Sequence, residues 1–325
     1  MRLTHGRLAW GELRPAGVGG IFVIKGFKGR GRRRPFSVEA RLAEHVDRLG
    51  EEHPPIPVDS ADYTMARPEL LARAFGPVLT YMSRVELEVE RNVLELNLLL
   101  PDPPAVDRHF YADVWLPQEI HHGLLLDRLQ SLAGLPPADP DLTSMAFSYR
   151  VLGALGRWSA VQDVSRMLYY LTGVATEQSA ILAYNKLHQG LLHLGERAVA
   201  TTVVAPIRRQ EPGHFAYYKI AAQGLWTELT GWQKWLVGTL RRHTFEPVGA
   251  YTKKQWAEFG AVMHHLGITT DGEGGLTRYA QQIGRVEMEL LWAMRRGLRV
   301  PTYVVDSLRS AARLAAAERV ATAGS

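Results

Sequence analysis

The chain contains no cysteine. Disulfides, thiolate zinc sites, cysteine nucleophiles and protein-bound iron–sulfur clusters are therefore excluded, and any metal must sit on carboxylate and imidazole. It also lacks an apolar run long enough to span a bilayer. No segment shows the alternation of an extensive sheet. No Gly-x-Ser-x-Gly elbow appears, and the glycines at 17–20 and 26–31 lack the strand–loop–helix register of a nucleotide-binding loop. The apolar patch Ala16–Ile24 precedes its basic cluster, the reverse of a secretory signal, so a cytoplasmic protein is expected.

What is present is ordinary for a folded domain: 325 residues, 46% hydrophobic, 22% charged and a formal charge of +5. Part of the positive excess lies in Lys25–Arg34. That loop suits an acidic partner or a solvated surface; its single aromatic, Phe27, does not make the interleaved stacking surface that RNA would want, so nucleic acid is not expected. Helical patterning dominates after about residue 60. The expected organisation is an irregular segment over 1–60, with one strand at 20–25 and one helix at Ser37–Arg48, followed by an all-α domain over 61–325. Helices are expected at Arg67–Leu100 (with Gly76-Pro77 as a candidate interruption), Val106–Leu135, Ser144–Gly156, Trp158–Leu194 and Ala198–Leu240 (two long helices or broken helix pairs), Lys253–Leu266, Leu276–Arg296 and Val304–Thr322.

Two Glu-x-x-His elements, Glu119-Ile-His-His122 and Glu211-Pro-Gly-His214, stand out. Residues three apart share a helix face, so each can direct one carboxylate and one imidazole at a common point. One such match arises by chance in a chain this long; the order of the acids around the pair carries more weight. Between Glu119 and Glu211 the only glutamates are Glu177 and Glu196. Glu177 sits in the most apolar helical tract, Leu168–Tyr184, where an unpaired carboxylate would cost several kcal/mol and a metal ion would compensate it.

The first lone glutamate is harder to choose, because Glu86, Glu88, Glu90 and Glu95 compete. Antiparallel helices bring residues equidistant from their loop to one level. That selects Glu90 if the second helix starts near His109, and Glu86 if it starts near Ala105. Glu90 is the choice, with Glu86 in reserve. The spacings, 29 residues from Glu90 to Glu119 and 34 from Glu177 to Glu211, read as two helical hairpins. Together Glu90, Glu119, His122, Glu177, Glu211 and His214 make the donor set of a dinuclear iron or manganese site in a four-helix bundle. His121, His188, His193 and the His264-His265 pair read as surface or core residues.

At these residues the chain resembles the soluble acyl-acyl-carrier-protein desaturases of the ferritin-like superfamily. Trp115–Leu129 is similar to their second-helix element, Tyr170–Glu177 to the stretch before their third-helix glutamate, and Trp256–Thr270 to a later helix. The resemblance covers roughly residues 75–270. It implies a ferritin-like four-helix bundle with additional helices, two iron ions, and an O₂-dependent oxidoreductase of fatty acid metabolism. It also implies a substrate carried on acyl carrier protein, a ferredoxin-type electron donor and a homodimer. Hydroxylation or N-oxygenation of a carrier-bound intermediate would use the same ligands, and a metal-free bundle acting as a binding subunit is the non-enzymatic alternative.

Three departures matter. Gln118 and Gln210 replace the acids that usually precede each Glu-x-x-His and should orient the histidines more weakly. Ala180 replaces a threonine near the third-helix glutamate. Pro117 and Pro212 should kink their helices, and Pro212-Gly213 could form a turn that leaves Glu211 and His214 on the surface.

Overall fold

The computed structural model describes residues 38–100, 102–142, 158–270, 272–293 and 297–323. The expected strand at 20–25, the basic loop at 25–34 and the helix at 144–156 lie outside them. Among the described residues there are helices and no strands, so the fold is all-α. One compact unit runs from Phe36 to Ser325. The boundary expected at residue 60 therefore falls inside it, because the first helix packs into the same core.

That helix, α1 (Val38–Glu52), buries Leu42, Val46 and Leu49 along one face. Then come α2 (Pro68–Leu87) and α3 (Val89–Leu99), separated at Glu88, whose ψ of −2° interrupts the helical path. Pro77 lies inside α2 without ending it, and the break expected at Gly76-Pro77 falls instead at Glu88. Helix α4 begins at Ala105 and comprises Ala105–His109, a π-helical turn Phe110–Trp115, and Leu116–Leu132. The long α5 is Ser159–Leu194. Helix α6 repeats the composite build of α4: Arg197–Val199, a π turn Ala200–Val204, and Ala205–Glu228.

The π turns have a local cause. Leu116 N–H bonds to Tyr111 O and Ala205 N–H to Ala200 O, each reaching five residues back, and each is followed directly by a proline, Pro117 and Pro206. Where a helix returns from five-back to four-back bonding, an N–H would be left over. Proline has none, and its fixed φ suits the helix that resumes.

The α5–α6 corner is sealed by glycine and glutamate. Gly195 takes φ +82°, its N–H bonding to Leu192 O (3.0 Å) and that of Glu196 to Leu191 O (2.9 Å). This is the glycine-terminated helix end in which two orphan carbonyls are satisfied. The Glu196 carboxylate then accepts from Ala66 N–H (2.8 Å) and Arg67 N–H (2.7 Å), tying the corner to the start of α2.

Two apolar clusters fill the bundle. Leu71, Val78, Leu125, Leu129, Leu187 and Ile207 belong to one, and Val89, Phe110, Trp115, Leu171, Tyr217 and Leu225 to the other. The α2–α3 strand of the bundle and α6 enter the first cluster and leave through the second; α4 and α5 run the opposite way. So α2 is antiparallel to α4 and α5 to α6, the two most extensive pairings among these four helices. Helices α4 and α5 are parallel, which needs one long crossover, here the chain between Leu132 and Ser159. A four-helix bundle with a single crossover has the ferritin-like topology.

The remaining helices, α7 (Gly231–Thr244), α8 (Lys253–His265), α9 (Gly272–Ile283), α10 (Arg285–Glu287 with Met288–Trp292) and α11 (Thr302–Ala323), cover this core. The buried Arg241–Glu287 pair (2.6 Å) joins α7 to α10, with Tyr303 O–H donating to Glu287 (2.6 Å). No described helix is long and apolar enough to cross a membrane.

Candidate metal centre

Where the chain passes from one apolar cluster to the other, each of the four central helices presents a buried acid. They are Glu86 on α2, Glu119 on α4, Glu177 on α5 and Glu211 on α6, with His122 and His214 one turn beyond their glutamates. Two overlapping groups form: Glu86, Glu119, His122 and Glu211, and Glu119, Glu177, Glu211 and His214. Within each, one donor atom per residue lies within 4.8 Å of the others. Glu119 and Glu211 belong to both groups, so two cation positions would lie side by side with these two carboxylates between them.

Five of the six residues picked from the sequence converge here: Glu119, His122, Glu177, Glu211 and His214. The sixth, Glu90, does not. It lies exposed on α3, beyond the break at Glu88, and Glu86 occupies the fourth corner. The cause is the start of α4. It begins at Ala105 and not near His109, and matching levels across that loop leads to Glu86. The feared turn at Pro212-Gly213 is also absent: α6 continues through both residues, and Glu211 and His214 are fully enclosed.

The donors are held by specific partners. Tyr184 O–H donates to Glu86 Oε1 (2.7 Å), and the Trp115 indole N–H to Glu177 Oε1 (3.2 Å). The two glutamines cross over: Gln118, before Glu119, meets His214 Nε2 (2.5 Å), while Gln210, before Glu211, meets His122 Nε2 (2.6 Å). Both amides are fixed from behind. Gln118 N–H donates to His53 O (2.5 Å); Gln210 N–H donates to His53 O (3.2 Å) and Pro54 O (2.9 Å). A backbone carbonyl only accepts, so it claims the NH₂ end of each amide and leaves the amide oxygen facing the histidine. The histidine must then donate from Nε2, which leaves Nδ1 as the nitrogen that faces the carboxylates. The neutral glutamines thus direct both imidazoles through geometry alone.

Burial and charge act strongly on this cage. Burial pushes the carboxyl pKa values of Glu86 and Glu177 well above the usual range, with Glu119 and Glu211 adding to the effect. Burial would push Glu119 up as well, but His214 beside it holds it well below. Burial opposes a proton on His122, yet Glu119 and Glu211 raise it to about 10; His214 is raised by the same two acids against the same opposition. Two imidazole nitrogens thus sit among carboxylates, at 2.8 Å for His214 Nδ1 to Glu119 Oε1 and 3.2 Å for His122 Nδ1 to Glu211 Oε1.

A cation fits this donor set. Both carboxylate oxygens of Glu211 and Nδ1 of His214 are buried without an aligned hydrogen-bond partner, although imidazole nitrogens lie near the former and carboxylate oxygens near the latter. Buried polar atoms of this kind are rare and costly unless something coordinates them. Carboxylate and imidazole without sulfur suit iron or manganese in the divalent state.

A cavity of about 90 Å³ opens onto the acids. All four glutamates line it and neither histidine does, so the open side of the centre is the carboxylate side. Trp115, Tyr169, Tyr218 and Tyr251 form much of its wall, and Glu95 closes one part. An apolar cavity of about 40 Å³, walled by Met82, Phe259, Val262 and Met263, adjoins it at Val85, Glu86, Ala180 and Val248. The side chain of Ala180 therefore borders both cavities, where the resemblance would place a hydroxyl.

Comparison with protein-family models, with curated proteins and with solved structures yields no match.

Proposed function

We propose that this protein is a dinuclear iron or manganese oxidoreductase that uses O₂ to oxidise a compact organic substrate. The observation that carries the reading is the sharing of Glu119 and Glu211 between two four-residue donor groups in a sealed bundle core. A bound metal pair would supply electrons to O₂ and a Lewis-acidic surface on the carboxylate side. The chain's own residues do the rest. Gln118 and Gln210 keep Nε2 of each histidine protonated and turn Nδ1 toward the carboxylates, where a cation would displace its proton. Tyr184 and Trp115 hold Glu86 and Glu177 while their second oxygens remain available. The aromatic wall keeps water from the open side.

Desaturation, hydroxylation and N-oxygenation all consume two electrons beyond those of the substrate's own bond. The chain has no cysteine to hold an iron–sulfur cluster of its own, and the reading takes these electrons from a ferredoxin-type donor, as the resemblance implies. The resemblance favours desaturation of an acyl chain on a carrier protein. Size favours the alternative: an apolar cavity of about 150 Å³ holds one benzene ring, and the two adjoining cavities here are about 90 and 40 Å³. Hydroxylation or N-oxygenation of a short substrate is the better supported of the two.

Metal analysis of protein from iron-replete expression tests the reading. About two Fe per chain are expected, and Glu177→Ala should lose them while keeping its helical circular dichroism. A metal-free wild type, acting only as a binding bundle, or an iron content unchanged in Glu177→Ala would overturn it.

A further inference from the structure

The apolar cavity beside the metal centre lies between α2 and α5 of the bundle and the covering helices α8 and α9. Met82, Ala183, Phe259, Val262, Met263 and Tyr279 are buried around it. The polar groups on its wall are engaged with one another or with the backbone. Tyr81 O–H donates to Val248 O, Ser179 O–H donates to Ala175 O (2.8 Å), and the Tyr279 hydroxyl is hydrogen-bonded to Ser179. Glu86, held by Tyr184, stands at the border with the metal-side cavity. A buried water needs roughly two to four polar partners, and a cavity that cannot supply them stays dry.

Its volume of about 40 Å³ exceeds the roughly 10–15 Å³ that admits one water and is far below the roughly 150 Å³ that takes a benzene ring. Two small residues of α5 keep it open, Ala180 at the border of the two cavities and Ala183 one turn further along. A larger apolar side chain at either place would fill space whose emptiness costs stability. Ala180 also keeps the border free of a hydroxyl that would hold water there. We propose that this cavity binds dioxygen and passes it to the carboxylate side of the metal centre through the neck formed by Val85, Glu86, Ala180 and Val248. O₂ is a two-atom apolar molecule, so it gains by leaving water for a dry apolar space. The organic substrate then has the larger cavity to itself. The proposal rests on the O₂-using metal reading for its purpose, though the gas binding does not.

The test is methyl NMR of the full metal-free chain under O₂ pressure, with N₂ as reference. Paramagnetic O₂ should enhance relaxation of the Met82, Val262 and Met263 methyls several-fold over that of buried methyls in the other apolar cluster, such as Val164, Met167 and Leu171. Ala183→Leu should remove this excess while keeping its helical circular dichroism and iron loading. It should also slow oxidation of the loaded Fe(II) by dissolved O₂ about tenfold. Ala180→Val, which narrows the neck and leaves the cavity, should slow that oxidation while the excess relaxation persists. No excess at these methyls, ordered water in the cavity, or Fe(II) oxidation unchanged in both variants would overturn the proposal. If Ala183→Leu fails to fold, the wild-type relaxation pattern and Ala180→Val decide. Failure of the metal reading shows separately, as absent iron with the methyl signature intact.

Discussion

A histidine held by a carboxylate can shift its proton onto the acid; one held by an amide cannot. Gln118 and Gln210, fixed by the carbonyls of His53 and Pro54, give His214 and His122 one tautomer each. Replacing Gln210 by leucine preserves volume but leaves His122 Nε2–H buried without an acceptor. Affinity for Mn(II), measured by chelator competition, should fall about 10–100-fold. A leucine variant that binds as tightly as wild type would show that packing alone orients the ring. At this scale the sequence was readable wherever a residue's partners lie on its own helix face. Glu119 with His122 and Glu211 with His214 are spaced for one face, and Glu177 is conspicuous by its apolar setting. The crossed glutamine pairs were not readable, since each joins α4 or α6 to a loop more than sixty residues earlier.

The helices owe their alignment to two kinds of irregularity. One is the π turn ahead of each Glu-x-x-His, legible only as the expectation of a kink at Pro117; the extra residue that a π turn accommodates leaves no mark in hydrophobic periodicity. Counting levels from a helix start near His109, where α4 in fact begins at Ala105, placed the first acid at Glu90, one turn from Glu86. The other irregularity is close approach at glycine. A Cβ on Gly213 would come within 2.3 Å of Leu49 Cδ1 on α1, and His45 on the same helix meets Gly213 O at 2.9 Å. Helix α1 leads into His53 and Pro54, which hold both glutamines. Gly213→Ala should therefore act twice. Overpacking against Leu49 should cost about 1–3 kcal/mol in urea unfolding, and displacement of α1 should loosen the glutamine locks and weaken metal binding. Loss of stability with metal affinity intact would mean that α1 and the locks are mechanically independent.

At the scale of the molecule, a core that is apolar above and below is interrupted by one layer holding four acids and two histidines. The all-α class and the two-hairpin arrangement follow from hydrophobic periodicity and from the order of the acids. The direction of α5 relative to α4 required the structure, since the crossover length alone allows either. Protonation decides how this layer behaves without metal. His122 titrates near 10 in the folded chain and near its ordinary value when unfolded, so its stabilising contribution is complete in acid and is lost as pH rises toward 10. Glu86 and Glu177, raised by burial, also favour the folded state when protonated and oppose it as pH rises. Glu119 acts the other way, but its lowered value places that change in acid, well before neutrality. The metal-free protein should thus lose stability between pH 6.5 and 9. Metal must displace the same protons, so its affinity should climb over that range. With saturating Mn(II), the rise in Tm over the metal-free protein should be larger at pH 8.5 than at pH 6.5. Differential scanning calorimetry at the two values checks this. A rise that shrinks with pH would mean that the cation does not enter the layer of Glu119 and Glu211, and that its histidines are structural imidazolium groups paired with buried acids.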